Sequence, residues 1–210
     1  MEKPSVRRPR LTRDERRLQT RAELLRTARR LFEERGFHGA SLEDIADEAG
    51  YTKGAVYSNF ASKDELFLGV LAEHIEQRVR ASVEVALDAA DFEAGTRAVA
   101  RSAVAESERE PAWAPLVVEF WAHASRREAL RRAVLALHER QLDAFTGVIE
   151  ELARRHDVTF RVAPREVVRG TGALGRGLAL ERLLEPEAAL GDLFEELFVA
   201  ATLGVTEPAP

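Results

Sequence analysis

The chain has 210 residues, 45% apolar and 32% charged, with a formal net charge of −5 and no Cys. That size supports one large or two small domains with a real core, and the missing Cys excludes disulfides, thiolate metal sites and thiol redox chemistry. No uncharged apolar run approaches the length of a membrane span, and the arginine-rich start lacks the apolar stretch of a secretory signal. The expected setting is therefore cytoplasmic, with no membrane partner.

Residues 1–30 carry 11 Lys+Arg against 4 Asp+Glu, a balance of +7, so residues 31–210 carry −12. A basic end on an acidic body suits contact with a polyanion at one end, although an arginine-rich solvated helix has the same composition. Met1 to Leu11, with Pro4, Pro9 and four basic residues, reads as a disordered arm over 1–11. Thr12 and Glu15 form a capping box that opens a first helix to about Arg35, with Leu24, Leu25, Ala28, Leu31 and Phe32 on one face and Gly36 as its stop. Ser41 and Asp44 open a second helix with a stripe of Leu42, Ile45, Ala46 and Ala49. Gly50 supplies a tight turn, Thr52 caps a third helix, and Ser62 with Glu65 caps a long fourth one.

Further on, Asp91 caps a helix through about Glu108, Pro111 opens another, and Ser125 with Glu128 opens a long one to about Arg155. Asp157 to Ala163 is a connector whose Val-Thr-Phe-Arg-Val suits a short extended piece with no partner strand in sight. Pro164 opens a helix to about Leu184 and Pro186 another to about Leu203, ahead of a frayed tail over 205–210. The predicted class is all-α with about nine helices. A helix-turn-helix unit over 12–66 is joined by a long helix to a helical effector-binding and dimerisation unit over 67–204.

The stretch from Ser41 to Phe60 carries the functional reading. A plain helical hairpin needs only the apolar residues Ile45, Ala46, Ala49, Val56 and Phe60. This one adds an outer face of Thr52, Lys53, Gly54, Ala55, Ser58 and Asn59. Long charged side chains other than Lys53 are missing from it. Small residues near a helix start weaken the helix and let another surface come close. That is the layout of a helix laid into a DNA major groove. The chain uses 28 Arg and only Lys3, Lys53 and Lys63 as lysines, and two of these flank this helix, as phosphate contacts would.

From about Thr20 to Leu66 the chain resembles the DNA-binding domain of the TetR (tetracycline repressor) family of transcriptional regulators. Leu25, Ala28, Leu31, Phe32, Gly36, Phe37, Ser41, Ile45, Ala46, Ala49, Gly50, Thr52, Gly54, Val56, Tyr57, Phe60, Lys63 and Leu66 carry the likeness. Tyr51 stands where the family more often has a small aliphatic residue, and Ser58-Asn59 replaces a common Tyr-His pair. The resemblance implies an all-helical homodimer that binds a near-palindromic double-stranded DNA operator, acts as a repressor, and is released by a small, largely apolar effector.

The expected DNA contacts are Ser41, Thr52, Lys53, Gly54, Ala55, Tyr57, Ser58, Asn59 and Lys63. Ser41 and Thr52 suit phosphate contact or plain capping. Tyr57 suits either a hydroxyl reaching the DNA backbone or a core aromatic. Ala55 suits a thymine methyl. Arg7, Arg8 and Arg10 are candidates for a minor groove. Trp113, Leu116, Phe120, Trp121, His123, His138 and Phe145 are expected around the effector. Leu174, Leu178, Leu190, Phe194, Leu197 and Phe198 are expected at the dimer interface, with Gly170, Gly172, Gly175 and Gly177 allowing close helix approach. No cofactor or metal site is expected. Gly170-Thr-Gly172-Ala-Leu-Gly175 matches G-x-G-x-x-G but lacks the strand that a dinucleotide site needs before it. The competing classes are an all-helical enzyme, for which no catalytic constellation is visible, and a helical interaction protein without DNA binding.

Overall fold

The computed structural model describes residues 12–209. The basic arm over 1–11, with Arg7, Arg8 and Arg10, lies outside the described residues, as does Pro210. Nine helices and one two-stranded sheet are present among the described residues. The chain forms two compact units, one ending at Val70 and the other beginning at Leu71. The first comprises α1 (Arg13–Gly39), α2 (Leu42–Glu48), α3 (Lys53–Tyr57) and the opening turns of α4 (Lys63–Leu87). The second comprises the rest of α4, α5 (Phe92–Arg109), α6 (Trp113–Ser125), α7 (Glu128–Arg155), β1 (Val158–Phe160), α8 (Pro164–Glu181), α9 (Leu190–Leu203) and β2 (Thr206–Pro208).

Local capping sets the first unit. Thr12 and Glu15 form the expected box, as do Ser41 and Asp44, and Thr52 accepts the Ala55 N–H at 3.2 Å. Gly36 (φ 73°, ψ 171°) breaks the helix where the sequence placed its stop, and α1 continues past this kink for one short turn to Gly39. The kink buries Phe37 against Phe32 and Phe67, with ring centroids 5.8 and 5.4 Å apart. Gly50 (φ 72°) makes the turn between α2 and α3 in a conformation that a Cβ would strain. Leu24, Leu31, Phe32, Ile45, Val56 and Phe60 close the core with at most 1% exposure.

In the second unit, Asp91 caps α5 as expected. Three other expected starts are displaced. Ser125 does not cap α7; its hydroxyl donates back to the Ala122 carbonyl within α6, and Arg127 takes the cap position with no side-chain capping bond. Pro111 precedes α6 in a turn, and Pro186 lies in the turns before α9, which starts only at Leu190. The connector does find a partner: β1 pairs antiparallel with β2, Val158 opposite Pro208 and Phe160 opposite Thr206. The expected frayed tail is thus the second strand, held further by the Ala209 N–H on the Asp157 carbonyl at 2.7 Å. The glycine run Gly170–Gly175 lies inside α8, after a strand that pairs only with this tail, so its backbone is helical and offers no phosphate cradle.

Candidate nucleic-acid interface and ligand cavity

In the first unit, α3 turns Thr52, Lys53, Gly54, Tyr57 and Ser58 outward and half-covers Ala55 and Asn59 over buried Val56 and Phe60. Tyr57 is 56% exposed, which rules out the core-aromatic alternative within this unit. Lys53 reaches the Glu43 carboxylate of α2. Both partners are more than half exposed, so this tie is weak and exchangeable. Glu43 holds the ammonium's pKa above its ordinary value, with Asp47 and Tyr57 adding to it.

The remaining polar groups are engaged within the protein. Ser41 accepts the Asp44 N–H and donates its own proton to the Asp44 carboxylate at 2.6 Å, so in the free protein this hydroxyl is a cap beside a negative charge. Ser58 and the Asn59 amide both donate to the Ala55 carbonyl at 2.8 Å, closing the end of α3. Lys63 donates to the Phe37 and Ala40 carbonyls at 2.9 Å and lies 4.5 Å from the Phe37 ring centroid. In the free protein its ammonium ties down the end of α1. Arg21 plays a similar part that the sequence did not mark: it donates to the Asn59 carbonyl at 3.0 Å and stacks on Phe60.

The second unit holds a cavity of about 240 Å³ walled by α4 to α9. Of the expected effector residues, Trp113, Trp121, His138 and Phe145 line it. Leu116 and Phe120 are core residues with 3% and 0% exposure, and His123 stacks near Phe120 outside the lining. Four residues expected at the dimer interface, Leu178, Leu190, Phe194 and Phe198, line the cavity of the single chain. The inward stripes of α8 and α9 thus serve the interior of the protomer. The glycines divide likewise. A Cβ at Gly175 would sit 3.0 Å from Phe194, whereas Gly170 and Gly177 face open space.

Outward, α8 carries the row Gly170, Ala173 and Gly177, continued past its end by Leu184, and α9 carries Leu193, Leu197 and Ala200, all exposed. Leu184 is 80% and Leu197 41% exposed.

Polar residues on the cavity wall escaped the sequence reading. His74, 3% exposed, lies with its ring centroid 3.9 Å from that of Trp113. Its Nε2 is 3.7 Å from Glu106 and its Nδ1 3.5 Å from Glu110, while Arg78 Nε lies 2.7 Å from the other Glu106 oxygen. Burial pushes the Glu106 carboxyl up, against the pull of Arg78. One donor atom from each of His74, Glu106 and Glu110 lies within 4.8 Å of the others. A carboxylate at each imidazole nitrogen and a guanidinium on one of them suit a charge network better than a shared cation. Arg176 was missed too. Its signal was there: Val168, Gly172, Arg176 and Ala179 form one inward row of α8, and Arg176 puts a charge in it.

A family model described as bacterial regulatory proteins, tetR family, matches residues 24–70, and one described as BetI-type transcriptional repressor, C-terminal, matches residues 92–202, more than half of the chain. The chain belongs to the TetR family. It is a DNA-binding transcription regulator of the helix-turn-helix type. The transcriptional activator FasR of Mycolicibacterium smegmatis is 40% identical over 96 residues, 38% of this chain and 42% of that protein. The transcriptional repressor KstR2 of Mycobacterium tuberculosis is 48% identical over 46 residues, 22% of this chain and 23% of that one. The chain thus spans less than half the length of either relative. Among solved structures, a TetR transcription regulator from Haloarcula marismortui aligns at TM-score 0.72 with 18% identity, covering 90% of this chain and all of that one. A transcriptional regulator from Rhodococcus sp. RHA1 aligns at 0.73 with 19% identity over 89% and 96%. At that identity the likeness bears on the fold. Among the described residues no helix is long and apolar enough to cross a membrane.

Proposed function

We propose that this chain is a homodimeric cytoplasmic repressor that lays α3 of each protomer into the major groove of a near-palindromic operator and is released when a small ligand fills the cavity of the second unit. The observation that carries it is the outer face of α3. Thr52, Lys53, Gly54, Tyr57 and Ser58 stand clear of the protein, no carboxylate stands among them, and buried Val56 and Phe60 hold the helix in place.

The role of each group follows from its surroundings. Lys53 exchanges Glu43 for a phosphate. Thr52, its oxygen already accepting the Ala55 N–H, turns its proton to a second phosphate, and Tyr57 reaches the backbone beside it. Gly54 and Ala55 let the helix approach the base edges. No Arg or Gln lies on α3, so the shape of the groove carries part of the specificity.

A reader this small selects one site only in pairs. The exposed small and apolar rows of α8 and α9 supply a self-complementary face for the second copy, with Gly170 and Gly177 permitting close helix contact. The match to a repressor-type C-terminal model supports repression. A ligand releases DNA to the extent that it prefers the conformation unable to bind the operator.

The test is fluorescence anisotropy on duplexes from the chain's own promoter region, with sedimentation of the free protein. Salt-dependent binding of one dimer per site is expected. A monomer that ignores every such duplex at low salt sinks the proposal.

A further inference from the structure

Three arginines line the cavity, and they differ in one respect. Arg78 lies 2.7 Å from Glu106, and Arg182 lies 3.9 Å from Glu108. Arg176 pairs with no carboxylate among the described residues. Its guanidinium lies 5.2 Å from the Trp121 ring centroid, and it has room because residue 172 is Gly: a Cβ there would stand 3.4 Å from Nη1. Burial and the Arg78 charge both push its pKa below the ordinary arginine value. A cation held away from water without a counter-charge is costly, and proteins keep one where something else supplies the anion.

Two neighbouring atoms are unfulfilled as well. Trp121 Nε1 and His138 Nδ1 are shielded from solvent and have no hydrogen-bond partner. Both residues line the cavity, and their rings meet edge to face at 5.6 Å. The indole N–H only donates. Burial, followed by the Arg176 charge, holds the His138 pKa below its ordinary value, so at neutral pH the imidazole adds no second cation there. Away from the cluster of His74, Arg78, Glu106 and Glu110, the residues Leu137, Phe145, Val148, Phe194 and Phe198 give the wall an apolar stretch.

We propose that the cavity takes an anionic amphiphile, its carboxylate seated on the Arg176 guanidinium and the Trp121 indole N–H and its apolar body lying against Phe145, Phe194 and Phe198. A charge-assisted bond from a guanidinium is among the stronger hydrogen bonds. A neutral hydrocarbon leaves Arg176 and Trp121 unpaired, and a cation adds repulsion. The inference rests on the reading above that a small ligand fills this cavity, and it names the chemical class of that ligand.

The volume of about 240 Å³, roughly eight times that of a liquid water molecule, suits eight-carbon probes: octanoate, 1-octanol and octyltrimethylammonium. The chain's two tryptophans, Trp113 and Trp121, both line the cavity, so intrinsic fluorescence of the full-length protein reports occupancy. Octanoate is expected to bind at least tenfold more tightly than octanol, with the ammonium probe weakest. Arg176→Gln should lower octanoate affinity at least tenfold, leave octanol unchanged, and melt no lower than the parent. Arg176→Lys should keep part of the preference. If both variants misfold, Trp121→Phe, which removes only the N–H donor and leaves Trp113 as reporter, must weaken octanoate selectively.

Octanol binding as tightly as octanoate, a preference for the cation, no octanoate binding, or an octanoate affinity untouched by Arg176→Gln would each overturn the inference. Octanoate that binds with the expected preference but leaves the promoter duplex bound refutes the effector role alone, and the ligand class stands.

Discussion

The two units treat their polar groups differently. In the first, nearly every one has a partner nearby: Ser41 and Asp44 cap each other, Thr52 caps α3, Ser58 and Asn59 close on Ala55, and Lys63 holds two carbonyls. There only Asn59 Oδ1 is buried without a partner among the described residues, whereas in the second unit Trp121 Nε1, His138 Nδ1, Thr146 Oγ1 and Arg165 Nη1 are, Arg176 has no counter-ion among the described residues, and a cavity opens between the helices. A buried polar group left unpaired costs free energy, so natural proteins keep few of them. The contrast separates a unit whose polar groups close on one another from a unit whose interior keeps a cavity with unpaired polar atoms.

Core truncation should break that contrast most sharply. Phe32 is fully buried between Phe37 and Phe67, and Phe32→Ala should cost about 3–5 kcal/mol, enough to unfold the first unit and abolish DNA binding. Phe145 already borders a void, so Phe145→Ala should cost less than about 2 kcal/mol and act mainly on ligand affinity. Denaturant melts followed by circular dichroism, with anisotropy on the operator, compare the two. Equal losses would mean the second unit is packed as tightly as the first.

Next in size is a change on the outward face of α8. A Cβ at Gly177 meets nothing within 4 Å, so Gly177→Leu leaves the protomer intact and gains about 0.8 kcal/mol of helix propensity. In a dimer the same side chain collides from both copies. Overpacking of about 1–3 kcal/mol at each weakens association by about 2–6 kcal/mol. Sedimentation should show a monomer with an undiminished melting temperature and weakened operator binding. A variant that stays dimeric places the partner on another face.

Lys53→Ala follows. It removes one phosphate contact per protomer, so the salt slope of binding by a dimer should flatten by about two and affinity should fall on every duplex alike. Lys63→Ala makes the internal comparison. Its ammonium ties the end of α1, so it should lower the melting temperature and leave the salt slope alone. Identical salt slopes for the two variants would return Lys63 to the DNA surface.

These tests also trace how far the sequence was legible. Caps at Thr12, Ser41, Thr52 and Asp91 were readable because donor and acceptor lie three residues apart. The same pattern misled at Ser125, where α6 continues through the serine and claims its hydroxyl. Pairing of β1 with β2 joins segments separated by the whole of α8 and α9, and no local rule reports it. The inward stripes of α8 and α9 were visible, but whether Phe194 faces a cavity, a core or a second copy depends on helices far along the chain. Arg176 stands on a row whose spacing is visible in the sequence, but a charge on that row has meaning only once the row's surroundings are known.

The smallest expected effect is acid sensitivity, and it differs between the units in what it loosens. In the second unit Glu195 of α9 lies 2.9 Å from both Arg101 and Arg97 of α5, and hydrogen bonds from Arg101 and then Arg97 hold its carboxyl below the ordinary value of 4.5. In the first, bonds from Ser41 hold Asp44 below 3.8. A carboxyl depressed in the folded state stabilises it fully above the unfolded value, and that contribution is lost as pH falls through the folded one. Acid below about pH 4.5 should therefore weaken both the tie between α9 and α5 and the cap of α2. Glu195→Gln removes the charge, so its melting temperature at pH 7 should lie slightly below the parent's and fall less between pH 5 and pH 3. Asp44→Asn, which still accepts hydrogen bonds but does not titrate, should likewise fall less than the parent as the pH is lowered. Calorimetry across the range reads both. If the parent and Glu195→Gln lose stability in parallel, the Arg–Glu cluster contributes only what a solvated surface pair does, and α9 is held to α5 by packing alone.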